Sequence, residues 1–126
     1  MGMNEHFEKD AFSKHCGVRL IEASDGRAVA QMTVGPEHLN HVGTVHGGAI
    51  FALADAAFAA ASNSHGFVAV AININISYLK AATAGILTAT ARQNPAGRKI
   101  GSYEINITDS DGQLIAVFHG LTYNKV

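Results

Sequence analysis

The sequence predicts an α+β domain in which an antiparallel sheet wraps around one long central helix. Residues 47–61 are apolar except for Asp55, as expected of a helix that is buried on nearly every side. Residues 72–77 alternate isoleucine with polar side chains, which is the period of a strand. Further strand-like segments follow at short intervals, and short connections favour antiparallel pairing.

The segments before the apolar run predict one helix and two strands. Residues 5–15 are expected to form a short helix with Phe7 and Phe12 facing inward. Residues 18–23 and 28–34 are predicted strands. The four residues between them contain Asp and Gly, which is typical of a hairpin turn. A polar loop then leads to the apolar run.

The segments after residue 60 predict the end of the helix and the rest of the sheet. Alanine and leucine favour the helix, and Gly66 supplies its C-terminal stop. After residues 72–77, three more strands are predicted at residues 86–93, 99–108 and 113–124. The connections between them are rich in Gly, Pro, Asn and Asp, as turns are.

Composition and charge restrict the class of protein. The chain has 126 residues, of which 48% are hydrophobic and 15% charged, so one domain over residues 1–126 with one core is expected. A net charge of -1 gives no reason to expect nucleic acid or an anionic membrane as a partner. The single cysteine, Cys16, excludes an intrachain disulfide and favours a reducing, cytoplasmic location. The apolar run is too short to span a membrane.

Asp55 and the glycine pair at the helix start are the candidates for chemistry. A carboxylate among Ala, Leu and Phe loses solvation. It could pair with a neighbour or face a solvated gap, or it could face a small cavity as a base or nucleophile. Gly47 and Gly48 offer backbone N–H groups at the positive end of the helix dipole, which suits a developing oxyanion. Relief of crowding at the helix entry would also explain these glycines.

The spacing of these two features predicts an oligomer. Gly47 and Asp55 are eight residues apart, or about 12 Å along a helix. One carbonyl group cannot accept a hydrogen bond from Gly47 and be attacked from Asp55 of the same helix. If both act on one substrate, they come from two chains whose helices run antiparallel across a two-fold axis.

The stretch LNHVGTVHGGAIFALADAAF, residues 39–58, resembles the signature of the hotdog-fold thioesterases. The similarity is greatest to the phenylacetic acid degradation branch, whose members hydrolyse phenylacetyl-CoA and related thioesters. The spacing Asn-x5-His-Gly-Gly-x6-Asp makes the motif specific. The resemblance continues through residues 63–66, 77–80, 87–91 and Gly120, and it covers nearly the whole chain after about residue 15.

The resemblance implies a hotdog fold and hydrolysis of an acyl-CoA to free acid and coenzyme A. Asp55 matches the carboxylate that activates water or attacks the thioester carbon. Gly47 matches the glycine whose N–H polarises the thioester carbonyl, and Asn40 matches the residue that helps to hold the carbonyl or the water. His46 matches an orienting histidine. The family also implies sites shared between subunits, a homodimer or dimer of dimers, and no cofactor other than the coenzyme A of the substrate.

Residues that bind the rest of the substrate are expected from charge, position and resemblance. Lys80, Arg98 and Lys99 are expected to contact the phosphates of coenzyme A, although solvated surface cations would look the same. Gly48 is expected to contact the substrate at the helix start. The candidate walls of the acyl pocket are Phe51, Leu53 and Phe58, any of which could equally belong to the core.

One departure from the family pattern lies just after the helix. Some relatives carry a serine or threonine early on the first strand that follows, where it helps to orient the water. Residues 70–72 of this chain are Val-Ala-Ile. Either Asp55 and Asn40 suffice without a hydroxyl group, or the rate or the acyl preference differs.

Two other functions stay open at this point. A hotdog acyl-CoA dehydratase pairs a histidine with an acid, as His46 and Asp55 could, but the position of the acid in mid-helix is that of the thioesterases. A non-catalytic acyl-CoA-binding domain is the second alternative, and the presence of Asp55 argues against it. No metal site is expected, because His38 and His41 are interpreted as exposed loop residues without a Cys or Glu-x-x-His pattern.

Overall fold

One antiparallel sheet and one long helix make up most of the structure, a computed structural model that describes residues 3–126. The helices are α1 (Met3–Glu8), α2 (Ala11–His15) and α3 (Gly47–Ser62). The strands are β1 (Val18–Ser24), β2 (Arg27–Thr33), β3 (Val68–Tyr78), β4 (Ile86–Asn94), β5 (Ile100–Thr108) and β6 (Leu114–Lys125). A 3₁₀ turn at Pro36–His38 precedes α3.

The strand order is β1-β2-β4-β5-β6-β3, and every neighbouring pair is antiparallel. α3 packs against all six strands, so the sheet wraps around it. This confirms the predicted α+β arrangement. β1 and β3 form the two edges of the sheet, and each carries an irregularity in its pairing.

Small side chains allow α3 to lie close to the sheet. The fully or almost fully buried alanines of α3 and the two facing strands are Ala54, Ala57, Ala61, Ala28, Ala30, Ala89 and Ala91. Close packing of these small side chains stabilises the interior through many short van der Waals contacts. Within the described chain no helix is long and apolar enough to cross a membrane.

The sheet approaches α3 closely at Gly120 on β6. A Cβ at this position would lie 2.6 Å from the ring of Phe58 on α3. That ring also contacts Phe118 and Tyr103, with centroid distances of 5.5 and 5.8 Å. Only a glycine therefore fits beneath the aromatic cluster without moving it.

The hairpin between β1 and β2 confirms the predicted turn. Its two central residues, Asp25 and Gly26, both have positive φ, at 51° and 80°. A two-residue loop of this kind matches the right-handed twist of the strands. The Gly26 N–H also donates to Ser64 Oγ at 2.8 Å, which ties the turn to the end of α3.

The N-terminal prediction is wrong in two respects. The expected single helix is two short helices, because the Asp10 side chain accepts a hydrogen bond from the Ser13 N–H and caps α2. Phe7 packs against the core, but Phe12 is 67% exposed. The break after α1 rotates Phe12 away from the interior.

The contact between Gly120 and Phe58 yields a stability prediction. Gly120→Ala should destabilise the fold by about 1–3 kcal/mol, because the new methyl group overpacks the aromatic cluster. Urea unfolding at a fixed protein concentration measures the change. Gly97→Ala is the control, since nothing lies within 4 Å of a Cβ at that position. Equal midpoints for the two variants would contradict the packing argument.

Candidate active site

One stripe of α3 is left uncovered. Between residues 52 and 62 every side chain is buried except those of Asp55 and Ala59. These two residues are one turn apart, and Gly48 lies two turns before Asp55 on the same side of the helix. Gly48 is also exposed. The stripe therefore carries small residues and one carboxylate.

Asp55 has no hydrogen-bond or ion-pair partner among residues 6–126, the part of the chain whose side chains the structure describes. Its loss of hydration raises the pKa of its carboxyl above the ordinary value of 3.8, and the nearby Asp10 carboxylate raises it further. The alternative that Asp55 pairs with a neighbour in its own chain is therefore not realised. A half-buried carboxylate with a raised pKa and no partner can accept a proton or attack an electrophile.

The start of α3 has one backbone donor available at its first residue. The Gly48 N–H donates to His46 Nδ1 at 2.8 Å, and the Ala49 N–H donates to the His46 carbonyl at 2.9 Å. Within residues 3–126 the Gly47 N–H finds no acceptor. This N–H points from the positive end of the helix dipole and can bind a carbonyl oxygen of a substrate.

His46 is the N-cap of α3, and this role fixes its tautomer. Because Nδ1 accepts the bond from Gly48, the neutral ring carries its proton on Nε2. The ring is exposed, so Nε2–H is available as a donor beside the helix start. In this state the ring has no free nitrogen that could take a proton from a substrate.

Asn40 organises the loop before α3. Its Oδ1 accepts from the backbone N–H groups of Val42 and Thr44, and its Nδ2 donates to Thr44 Oγ1 at 2.9 Å. An amide group has two hydrogens on Nδ2, so one remains for a ligand. Asn40 thus holds the loop together through these bonds. Its remaining Nδ2–H can bind the thioester carbonyl or the water, which is the role that the family resemblance implies.

The prediction that His38 is an exposed loop residue is wrong. His38 is 6% exposed; its Nδ1 accepts from the Gly35 N–H at 2.9 Å, and its Nε2 lies 2.7 Å from the Cys16 carbonyl. It therefore joins the end of α2 to the loop before α3, while His41 is exposed as expected. Across residues 3–126 no three side chains of His, Cys, Asp or Glu are grouped so as to hold a metal ion.

Tyr78, at the end of β3, contacts the helix start, although its sequence position gave no sign of this. Its hydroxyl donates to the Gly47 carbonyl at 2.9 Å. Tyr78 and Lys80 share an open groove of about 410 Å³ with Gly47. The structure thus brings Lys80 to the same place as the free N–H of Gly47.

Arg98 and Lys99 lie at the other end of the sheet. Tyr78 pairs with Ala116 on β6, whereas the β5 start beside Lys99 pairs with Tyr123. These two β6 positions are seven residues apart, or about 23 Å along a strand. The loop that carries Arg98 is held by Asn124, whose Nδ2 donates to the Arg98 carbonyl at 3.0 Å. One chain does not bring the three expected phosphate-binding residues together.

The candidate acyl-pocket walls lie mostly in the core. Leu53 and Phe58 are buried. Phe51 is half-buried and packs on Phe118 at a centroid distance of 5.4 Å. Within the described chain all three residues therefore pack in the core, which was the alternative to a role as pocket walls.

A different apolar cavity lies beside Asp55. It has a volume of about 200 Å³ and lies between the N-terminal helices and the second half of α3. Its lining residues are His6, Phe7, Asp10, Ala56, Ala59, Ala60, Asn63 and Val68. The Asp10 that lines it is also the residue whose charge acts on Asp55, so the cavity is close to the candidate catalytic acid. Its walls come from segments far apart in sequence, and no local pattern could have predicted it.

Comparison with known proteins places this chain in a family. The family model of the thioesterase superfamily matches residues 42–116. The chain is 41% identical over 118 residues to the acyl-coenzyme A thioesterase PaaI of Escherichia coli, covering 93% of this chain and 84% of that protein. It is 30% identical over 103 residues to human acyl-coenzyme A thioesterase 13, covering 79% and 74% of the two chains.

Solved structures agree with the sequence comparison. The E. coli PaaI protein from the phenylacetic acid degradation operon superposes with a TM-score of 0.93 at 39% identity, covering 98% of this chain and 90% of that chain. A hypothetical thioesterase protein from Streptococcus pneumoniae, with coenzyme A, gives a TM-score of 0.87 at 26% identity, covering 96% of this chain and 95% of that chain. These likenesses confirm the hotdog fold.

The raised pKa of Asp55 predicts that this residue destabilises the fold at neutral pH. The folded chain holds the proton more tightly than the unfolded chain, so ionisation favours unfolding at pH values above the folded-state pKa. Asp55→Asn should therefore unfold at a higher denaturant concentration than the wild type at pH 7. The gain should shrink as the pH falls towards the ordinary value of 3.8 and vanish below it, where the acid is protonated in both states.

Denaturation series at several pH values, at one protein concentration, measure this difference. Asp111→Asn is the matched control. Asp111 is exposed in the turn before β6, so this substitution removes the same charge from a carboxylate that has lost no hydration. A loss of stability in Asp55→Asn at pH 7, or a gain that persists unchanged at pH 4, would contradict the interpretation.

Proposed function

Because the chain belongs to the thioesterase superfamily, in the branch of the PaaI protein, we propose that it hydrolyses an acyl-CoA to a carboxylic acid and coenzyme A. The observation that carries the proposal is a pair of unused groups on α3. Asp55 has no partner, and the Gly47 N–H has no acceptor, among residues 6–126. The Asp55 carboxylate can act as a base or nucleophile, and the Gly47 N–H can donate a hydrogen bond to an oxyanion.

In the proposed reaction the thioester oxygen binds to the Gly47 N–H. The His46 Nε2–H and the remaining Asn40 Nδ2–H are further donors on the same side. Asp55 takes a proton from a water molecule, whose oxygen adds to the thioester carbon, or Asp55 attacks that carbon to form an anhydride that water then hydrolyses. In both cases the C–S bond breaks and the sulfur leaves as the thiolate of coenzyme A.

The site requires two chains. Gly47 and Asp55 lie about 12 Å apart along one helix. This distance is too long for both residues to act on one carbonyl group. β3 is a long edge strand whose exposed apolar side chains include Val70 and Ile72, at 40% and 53%, and such edges are normally covered. If two β3 edges pair about a two-fold axis, two α3 helices run antiparallel, and Asp55 of one approaches Gly47 of the other. Further pairing into a tetramer is part of the proposal.

The same pairing explains the positions of the basic residues. Lys80 lies beside Gly47, and Arg98 and Lys99 lie at the opposite end of β3. An antiparallel pair brings the Lys80 end of one chain to the Arg98 end of the other. The three cations then surround one substrate and can contact the phosphates of coenzyme A. The similar Streptococcus pneumoniae protein with coenzyme A supports this ligand.

We assign the acyl group to the apolar cavity beside Asp55. An apolar cavity of about 150 Å³ accommodates a benzene ring, so a volume of about 200 Å³ suits an aryl or medium-chain acyl group. Ala56 and Ala59 leave this volume open because their side chains end at Cβ. An arylacetyl thioester, as expected for the phenylacetic acid degradation branch, is the substrate that we would test first.

The tautomer of His46 argues against the dehydratase alternative. A dehydratase histidine moves a proton at a free ring nitrogen, but His46 Nδ1 accepts from Gly48 and Nε2 carries the proton. The ring can donate a hydrogen bond but has no acceptor nitrogen left. This state suits stabilisation of a thioester oxygen.

Gly47→Pro should remove the proposed oxyanion donor with little change in structure. Proline is tolerated at the first position of a helix, and His46 already has the extended backbone that precedes proline, with φ -60° and ψ 137°. We expect kcat to fall by about 10²–10³-fold, measured as thiol release from an acyl-CoA. Gly47→Ala is the matched control: both variants add a Cβ against Tyr78, but only alanine keeps the N–H.

Mixing variants tests whether the site is shared. Asp55→Asn and Gly47→Pro should each be nearly inactive alone. After unfolding and refolding together in equal amounts, half of the dimers are mixed and each has one intact site, so about a quarter of the wild-type activity should return. A mixture that stays inactive would place Gly47 and Asp55 in separate or intrachain sites.

Ala59→Leu should fill the proposed acyl pocket while keeping a good helix former. We expect kcat/KM for phenylacetyl-CoA to fall at least about 10-fold, as the loss of space for a few carbon atoms predicts. The value for acetyl-CoA, whose methyl group needs no cavity, should change less than about two-fold. Ala84→Leu, at an exposed loop position, is the control variant. Equal losses on both substrates would contradict the assignment.

A further inference from the structure

Tyr78 is the group at the helix start that the proposed mechanism does not use. Its hydroxyl donates to the Gly47 carbonyl at 2.9 Å. Its ring lies directly over Gly47, where an added Cβ would be 3.2 Å from Cζ. A side chain at residue 47 would therefore press lightly on the ring, and the contact joins the end of β3 to the first peptide of α3.

The Gly47–Gly48 peptide links Tyr78 to His46 through two hydrogen bonds. The carbonyl that accepts from Tyr78 belongs to the Gly47–Gly48 peptide, whose N–H donates to His46 Nδ1 at 2.8 Å. A donor on the carbonyl side makes the N–H of the same peptide a stronger donor, because hydrogen bonds in a chain polarise one another. Tyr78, the peptide and the imidazole thus form one continuous hydrogen-bond relay.

We propose that Tyr78 is a positioning residue of this site, which acts through the Gly47–Gly48 peptide to hold His46 in the tautomer that presents Nε2–H to the thioester oxygen. The inference rests on the proposed function for its catalytic consequence. The relay itself is a property of the fold. It explains why a tyrosine that is 51% exposed in the described chain nevertheless makes a well-formed bond to a helix start.

The state of the Tyr78 hydroxyl is compatible with this role. Partial burial raises its pKa above the ordinary value of 10.0, so the phenol remains a donor at neutral and mildly alkaline pH. A carbonyl at a helix start can accept this bond in addition to the helical one, because it has two lone pairs. The relay therefore needs no change in the helix.

Tyr78→Phe tests the inference because it keeps the ring over Gly47 and removes only the hydroxyl. We expect kcat to fall about 10-fold with KM changed less than about two-fold, the pattern of an interaction that matters in the transition state. Tyr103→Phe is the matched control. Its ring packs against Phe58 in the core, away from the helix start, and its kcat should equal that of the wild type.

A double-mutant cycle with His46→Asn separates the relay from general support of the helix. Asparagine is a good N-cap and can accept from the Gly48 N–H, but it has no Nε2–H to donate. His46→Asn should lose about 10-fold or more in kcat. Tyr78→Phe should then cost less than about two-fold in the His46→Asn background. Full additivity of the two losses would overturn the relay.

The nitrogen NMR spectrum of the His46 ring gives a readout that does not depend on turnover. The wild type should show a protonated Nε2 and an unprotonated Nδ1, and Tyr78→Phe should show a mixture of tautomers. An unchanged tautomer in Tyr78→Phe would overturn the proposal, even if the rate fell. If the wild type released no thiol from any acyl-CoA, the proposed function would fail, and the spectrum would still accept or reject the relay.

Discussion

The fixed rise of an α-helix is the constraint on which the site depends. A helix advances about 1.5 Å per residue, so groups eight residues apart on α3 cannot meet on one atom, however their side chains turn. The Asp55 carboxylate and the Gly47 N–H are held apart by this geometry, and both are left without partners inside the described chain. A second antiparallel helix removes the conflict, because it reverses the order of the two groups. The proposed sharing of the site between two chains thus follows from the position of both groups on one rigid element.

The alanines of α3 make this placement possible. Larger side chains would hold the sheet further from the helix and would cover the stripe that carries Asp55. Short side chains on both surfaces let the strands approach, as Gly120 does against Phe58. They also leave the cavity beside Ala59 open. The same residues that give the helix its apolar character therefore provide both the tight core on one side and the open cavity on the other, to which we assign the acyl group.

Local patterns in the sequence predicted α3, the strands and the two principal candidates for the site, and tertiary contacts account for most of what was missed. Asp55 stood out because it interrupts an apolar run, and Gly47 because it opens a helix. His38 looked like an exposed loop residue because nothing local indicates that its ring bridges Gly35 and Cys16. The role of Tyr78 depends on a contact with a residue 31 positions earlier. Asp10 could have been recognised as a helix cap three residues before Ser13, which would have divided the N-terminal helix correctly.

The polar loop before α3 explains how such a site can be formed before a substrate arrives. His38, Asn40 and His46 each bind backbone groups of the loop or of the helix start. These bonds hold the loop and the helix start, and they leave the Gly47 N–H, the His46 Nε2–H and one Asn40 Nδ2–H without an acceptor among residues 6–126. Preorganised donors stabilise a developing charge without the reorganisation that free water would need. The carboxylate, by contrast, stays poorly solvated and raises the free energy of the folded chain. In the proposed site the hydrogen-bond donors are therefore held by the loop, whereas Asp55 is the residue that lowers the stability of the fold when it is ionised.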